Sequence, residues 1–162
     1  MSNPFAFFGL EPSLFVDVKS LRKQYLEIQR GSHPDLVSDD QTAMEQSEQA
    51  NANYKLLLNP LSRVKSYLEI VSANAAIPNS LPQDFLMEMM ELNEAWMDAD
   101  DEAAKQSILD QIKAIQDEIL EPIKSYLEMD QIDSIAQETM LQIKEYYYKK
   151  KYLDRILAEF RW

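Results

Sequence analysis

Only two glycines occur in 162 residues, and apolar residues return three and four positions apart through most of the chain. That spacing gathers apolar side chains on one face of an α-helix, whereas the alternation of a half-buried strand is hard to find. The expectation is an all-α protein. The same scarcity of glycine removes the phosphate-cradling and dinucleotide-binding loops, which need several glycines at fixed spacing. There is no cysteine and one histidine, His33, so the chain has no disulfide, thiol nucleophile or thiolate zinc ligand. Neither a metal nor another cofactor is expected.

Helix boundaries are read from capping residues. NPFAFFGL predicts a short helix or turn ended by Gly9. Asp17 is an N-cap candidate for VKSLRKQYLEIQR, with Gly31 as the stop. At about 100° per residue, Val18, Leu21, Tyr25 and Ile28 share a packing face, and Lys19, Arg22, Lys23 and Arg30 share a separate basic arc. Such an arc fits a solvated face, although in so acidic a chain a local positive stripe is more informative. The next helix is expected from about Thr42 to Leu58, burying Ala50, Tyr54, Leu57 and Leu58. In NPLSRVKSYLEI, Asn59 suits an N-cap and Pro60 the first helical position, where its missing N–H has no helical partner to lose. Leu61, Val64 and Leu68 continue the period. SANAAIPNS, residues 72–80, breaks the pattern and predicts a linker between domains 1–75 and 76–162.

Beyond it, helices are expected at about 82–98, 101–128 and 131–160. Ile108, Ile112, Ile115, Ile119, Ile123 and Tyr126 in the second, and Ile135, Thr139, Ile143, Tyr146, Leu153, Leu157 and Phe160 in the third, suit an antiparallel three-helix bundle. Pro122 should kink the second helix, because it lacks the N–H that would reach the carbonyl of Glu118. Charge follows the division: residues 1–75 hold 7 basic and 9 acidic residues, the remainder 9 and 19, for a total of −12. So acidic a chain is repelled by nucleic acid and anionic membranes, which leaves proteins as the expected partners. No apolar run approaches membrane-spanning length, and FAFFGL is too short for a secretory core, so the expected location is the cytoplasm. A monomer is an open expectation.

The loop RGSHPDLVSDD raises the question of what a lone histidine does. Catalysis would need a second histidine, a thiol or a nucleophile-elbow pattern to complete a site, and none is present; the chain is not expected to be an enzyme. A core histidine does not suit a polar segment punctuated by Gly31 and Pro34 between two helices. An incidental turn and a recognition tip both stay open. Pro34 fixes its own φ and steers His33 away from helical geometry, so the tripeptide is a stiff projection, and Asp35 can accept a charge-assisted bond from a partner arginine or cap the loop.

The helix beginning LPQDFLMEMMELNEAWMDADD is too apolar for one face. Phe85, Met89, Leu92 and Trp96 form a stripe suited to the bundle core. Leu86, Met90 and Met97, with Met87 beside them, form a second stripe about 100° or more away, against Glu91, Glu94 and Asp98. Two arrangements fit: burial on two sides, or an exposed methionine patch rimmed by carboxylates, adaptable enough to bind another protein. In EYYYKKKYLDRIL the tyrosines suit a core beside a solvated lysine run, and Tyr152 could extend the patch.

A basic-faced helix, His-Pro-Asp, a loop, a helix bearing Ala50 and Tyr54, and then NPLSR together resemble the J-domain of the DnaJ co-chaperones over residues 3 to about 72. Ser32 and Leu36 flank the motif where that family usually carries an aromatic and a basic residue, and Asn53 stands where a small apolar residue commonly precedes Tyr54. A J-domain followed by a compact acidic bundle resembles the HscB family of iron-sulfur cluster biogenesis over nearly the whole chain. FLMEMMEL with Asn93 and Glu94, together with KYLDRI, is similar to that family's scaffold-binding segments. The resemblance implies that His33, Pro34 and Asp35, with Lys19, Arg22, Lys23 and Arg30, engage the DnaK-type chaperone HscA and stimulate its ATP hydrolysis. It implies that Leu86, Met87, Met90, Glu91, Glu94, Asp98 and Tyr152 hold the cluster scaffold IscU. The eukaryotic branch carries an added N-terminal cysteine-rich module, so a bacterial-type member is expected. The alternatives are a J-protein for a different client and a non-chaperone acidic adaptor.

Overall fold

A computed structural model describes residues 3–33, 35, 40–72, 80–129 and 135–160. All regular structure among them is helical, in the order α1 (Pro4–Phe7), α2 (Val18–Gly31), α3 (Asp40–Leu58), α4 (Pro60–Val71), α5 (Gln83–Asp98), α6 (Glu102–Leu120), a 3-10 turn (Glu121–Ile123), α7 (Lys124–Glu128) and α8 (Gln137–Phe160). The chain divides into two compact units, Met1–Asn74 with Tyr126–Ser134, and Ala75–Ser125 with Ile135–Trp162. The expected linker lies largely outside the described residues.

Local chemistry explains the boundaries of the first unit. The Asn3 side chain accepts from the N–H groups of Phe5 and Ala6, and α1 closes where Gly9 takes φ +68°, a left-handed conformation that costs glycine little. The N–H of Leu10 then reaches back to the Phe5 carbonyl and that of Gly9 to Ala6, which satisfies two terminal carbonyls. Asp17 caps α2 by accepting from the N–H groups of Lys19 and Ser20, and Asn59 caps α4 by accepting from Ser62, with Pro60 at the first position. Gly31 is not a left-handed stop: it is the last helical residue, and Ser32 forms the cap. Helix α3 starts at Asp40, two residues before the expected Thr42, and its first-turn carboxylate suits the positive end of the helix dipole.

Phe5, Leu14, Leu21, Ala50, Leu57 and Val64 form the centre of this unit. Two expected core residues are not in it. Val18 is 46% exposed and Leu58 is 40% exposed; Val18 lies about 60° around α2 from Leu21, and Leu58 about 95° around α3 from the mean direction of Ala43, Ala50, Asn53 and Leu57, at the margin of or beyond the packed face. Arg63 binds the unit internally: its Nε donates to the Leu14 carbonyl at 2.9 Å and its Nη1 to the Leu57 carbonyl at 2.8 Å. Burial lowers its pKa by penalising the charged form.

In the second unit Phe85, Met89 and Leu92 of α5 meet Ile108, Ile112 and Ile115 of α6 and Leu153, Ile156 and Phe160 of α8. Trp96 closes one end by stacking on Phe160 with ring centroids 4.3 Å apart. The predicted kink at Pro122 takes the form of the 3-10 turn, which divides the expected 101–128 helix into α6 and α7. The turn falls where Pro122 lacks the N–H that would bond to the carbonyl of Glu118. Beside it Glu118, Ile119, Pro122, Gln142, Glu145, Tyr146 and Lys149 line a cleft of about 340 Å³. Burial, helped by the charge of Asp154, raises the pKa of the Tyr146 phenol. The third helix is described from Gln137 onward; residues 130–134, where it was expected to begin, lie outside the described residues. No described helix is long and apolar enough to cross a membrane.

Candidate functional site: two partner-binding surfaces

The His33 loop stands at the tip of the α2–α3 hairpin. His33 and Asp35 are solvent-exposed, at 60% and 88% of their side chains, so the core-histidine reading fails. Nδ1 of His33 lies 3.3 Å from the Asp35 N–H nitrogen and 3.4 Å from Asp35 Oδ2. Without a proton that nitrogen accepts from the backbone; with one it faces the carboxylate. Both arrangements tie the imidazole to Asp35, two residues on. Pro34 and Leu36 lie outside the described residues. Lys19, Arg22, Lys23 and Arg30 are all exposed along α2, opposite the face that buries Leu21.

What holds this tip is a polar seam that spacing alone did not reveal. Tyr25 stacks on Tyr54 at 4.3 Å and donates its hydroxyl to Asn51 Oδ1 at 2.6 Å. One turn on, Ser47 donates to Gln29 Oε1 at 2.7 Å while Gln29 Nε2 donates to the Ser47 carbonyl at 3.2 Å. At the base of the loop Ser32 is buried; its hydroxyl lies 2.9 Å from the Ile28 carbonyl and 3.0 Å from Gln46 Oε1. Bonding of serine to the carbonyl four residues back is a local motif legible in sequence. Its second partner, on another helix, is not. Ser32 thus supplies by hydrogen bonding a fastening at the position where the J-domain family usually carries an aromatic, and Asn53, likewise buried, places an amide in the same unit's interior.

The second surface is on α5. Of the two arrangements open from the spacing, the exposed patch is the one found: Met89 is 1% exposed, whereas Met87, Met90 and Met97 are 55%, 60% and 78% exposed. Leu86 is half-buried at the edge of this stripe, and Glu91, Glu94 and Asp98 are exposed beside it. Tyr152 of α8 is half-buried and packs against the bundle core: its ring meets the buried Phe85 edge-on at 6.0 Å, on the core side of α5, and the Arg155 guanidinium sits 4.6 Å from its centroid. An apolar strip flanked by carboxylates suits a protein with an apolar centre and a basic edge. Among the described residues no group of three or more His, Asp and Glu side chains gathers as a metal site.

Comparison with known proteins agrees with this architecture. Residues 81–161 match the family model described as the HSCB C-terminal oligomerisation domain. The chain is 32% identical to a co-chaperone protein HscB homolog of Pseudoalteromonas atlantica, across 97% of this chain and 93% of that one. It is also 32% identical to the human iron-sulfur cluster co-chaperone protein HscB, across 86% of this chain but 62% of that protein, so it spans less than two thirds of the human sequence. The crystal structure of human co-chaperone protein HscB superposes with a TM-score of 0.76 at 29% identity, covering 99% of this chain and 81% of that one. Chaperone HscB from Vibrio cholerae superposes with a TM-score of 0.64 at 26% identity, covering 98% and 99%. On these grounds the chain belongs to the HscB family of iron-sulfur cluster co-chaperones.

Proposed function

We propose that this chain is a two-ended adaptor that captures the iron-sulfur scaffold protein IscU on α5 and presents it to the DnaK-type chaperone HscA in the cytoplasm. The observation that carries the reading is the second apolar stripe of α5, which faces solvent instead of the bundle interior. A helix that already buries Phe85, Met89 and Leu92 gains nothing in the isolated unit from three exposed methionines, and such a strip is stabilised when a partner covers it. Leu86, Met87, Met90 and Tyr152 supply the apolar contact, and Glu91, Glu94 and Asp98 the flanking charge.

At the other unit, Lys19, Arg22, Lys23 and Arg30 steer an acidic surface of the chaperone toward α2. His33, Pro34 and Asp35 then make the contact that stimulates ATP hydrolysis, and the nucleotide chemistry belongs to the chaperone. The chain acts by positioning two partners and carries out no turnover of its own. The test is the ATPase rate of an HscA-type chaperone with this protein alone, with scaffold alone, and with both. Stimulation by the protein that rises further with scaffold is the expected result; no stimulation in either case overturns the reading.

A further inference from the structure

Every sulfur atom in this chain belongs to a methionine, since there are 8 methionines and no cysteine. Their placement is uneven. Met89 and Met140 are closed off at 1% and 7% exposure, while Met87, Met90 and Met97 stand exposed on the far side of the helix that buries Met89. Met90 and Met97 fall within about 20° of one another around α5, and Met87 about 60° from Met90. A solvent-exposed thioether is open to two-electron oxidation, and the sulfoxide turns a flexible apolar side chain into a polar, chiral one. No thiol in the chain intercepts the oxidant first.

We propose that Met87, Met90 and Met97 form a redox-modification site at which a peroxide-class oxidant switches off the docking surface of α5 while the bundle beneath stays folded. This rests on the scaffold-binding reading above. In each step the sulfur lone pair attacks one peroxide oxygen, so that the S–O bond forms as the O–O bond breaks. Sulfur loses two electrons, the peroxide gains them, and with hydrogen peroxide the departing oxygen leaves as water after proton transfer. A methionine sulfoxide reductase drawing on a thiol reductant reverses it.

The geometry separates switching from damage. The three exposed side chains lie outside the buried cluster of Phe85, Met89, Leu92, Ile108, Ile112 and Leu153, so their sulfoxide oxygens are hydrated without entering the core. Oxidation of Met89 would place a polar oxygen among those side chains. On the surface each sulfoxide adds acceptors and no donors beside Glu94 and Asp98, converting an apolar strip with an acidic margin into a polar one that keeps only Leu86 as an apolar edge.

The experiment treats the full chain with hydrogen peroxide, removes the oxidant, maps each methionine by tandem mass spectrometry and titrates IscU-type scaffold by calorimetry. The expected result is one added oxygen at Met87, Met90 and Met97 before Met89 and Met140, with unchanged helicity and melting temperature. Scaffold affinity is expected to fall by about tenfold to a hundredfold and to return after treatment with methionine sulfoxide reductase. Met44 and Met129 are also exposed, so the double variant Met44→Leu, Met129→Leu serves as the control: it is expected to bind scaffold like the wild type and to lose affinity on oxidation in the same way. Oxidation of Met89 at the rate of Met90, resistance of the double variant, or unchanged affinity of oxidised wild type each overturns the inference while leaving the scaffold reading standing. Failure of the untreated wild type to bind overturns both.

Discussion

Helices α2 and α3 add to their apolar core and the Tyr25–Tyr54 stack a seam of hydroxyl and amide contacts, Tyr25 to Asn51, Gln29 to Ser47 and Ser32 to Gln46, whereas the core joining α5, α6 and α8 is aliphatic and aromatic. The surfaces they present differ in the same sense. The first unit exposes His33, Asp35 and four cations; the second exposes Met87, Met90 and Met97. Hydrogen bonds are directional and fix a helix pair in one register, which suits a tip whose few charged groups must arrive at fixed places. Apolar packing constrains volume more than direction, and methionine is the most adaptable apolar side chain, so the second unit suits a broad, yielding contact. On the proposed function, the first surface would meet its partner by position and the second by shape.

That contrast predicts different responses to substitution and salt. The largest effect is expected at His33: His33→Gln keeps the size of a polar side chain but removes the imidazole, and stimulation of chaperone ATPase should be lost while scaffold binding is unchanged. Stimulation equal to wild type would refute the assignment of the tip. Next is the joint change of Leu86, Met87 and Met90 to alanine, which should weaken scaffold binding by about a hundredfold through lost apolar contact, with stimulation by the isolated protein intact. Raising salt from low to physiological levels should reduce docking to the chaperone more than binding of the scaffold, because exposed charges are screened and apolar burial is not. Equal salt sensitivity at the two surfaces would mean that both bind by the same balance of charge and apolar contact.

A stability comparison is smaller. Arg63→Ala removes two hydrogen bonds from a charged donor and leaves the Leu14 and Leu57 carbonyls without them. The expected loss is about 2 kcal/mol in chemical denaturation, confined to the first unit, so the second should retain scaffold binding. Loss of scaffold binding in step with unfolding would show that the two units do not act separately.

Much of this was legible from one chain because helices announce themselves locally. Asp17 and Asn59 cap as their types suggest, Pro122 breaks α6 where its missing N–H demands, and the core stripe of α5 follows from period alone. Val18 and Leu58 were misplaced because periodicity gives a direction around the helix but not the width of the neighbour that covers it. The second stripe of α5 could not be assigned from spacing, since burial on two sides and exposure leave the same pattern; only the positions of α6 and α8 decide it. The polar seam was illegible for a related reason. Glutamine, serine and asparagine at helix positions read as solvated residues until a second helix brings their partners within 3 Å.

The smallest predicted effect tests whether that seam has a role beyond cohesion. Ser32→Ala removes the hydroxyl between the Ile28 carbonyl and Gln46 Oε1, and the expected cost is about 1 kcal/mol. Because Gln46 is exposed, its side chain regains water when Ser32 is lost, so the cost should stay near the value for one hydrogen bond instead of reaching that of a stranded buried group. A double-mutant cycle with Gln46→Ala should then return a coupling of about 0.5 kcal/mol or more. Ser32 immediately precedes His33, so a seam that only holds the hairpin together would lower melting temperature and leave the stimulation measured well below it unchanged. A seam that fixes the tip would lower stimulation by Ser32→Ala at temperatures where the protein is still fully folded, with the affinity for scaffold untouched. Full stimulation by the folded variant would reduce Ser32 to a structural contact and return the positioning of His33 to the loop itself.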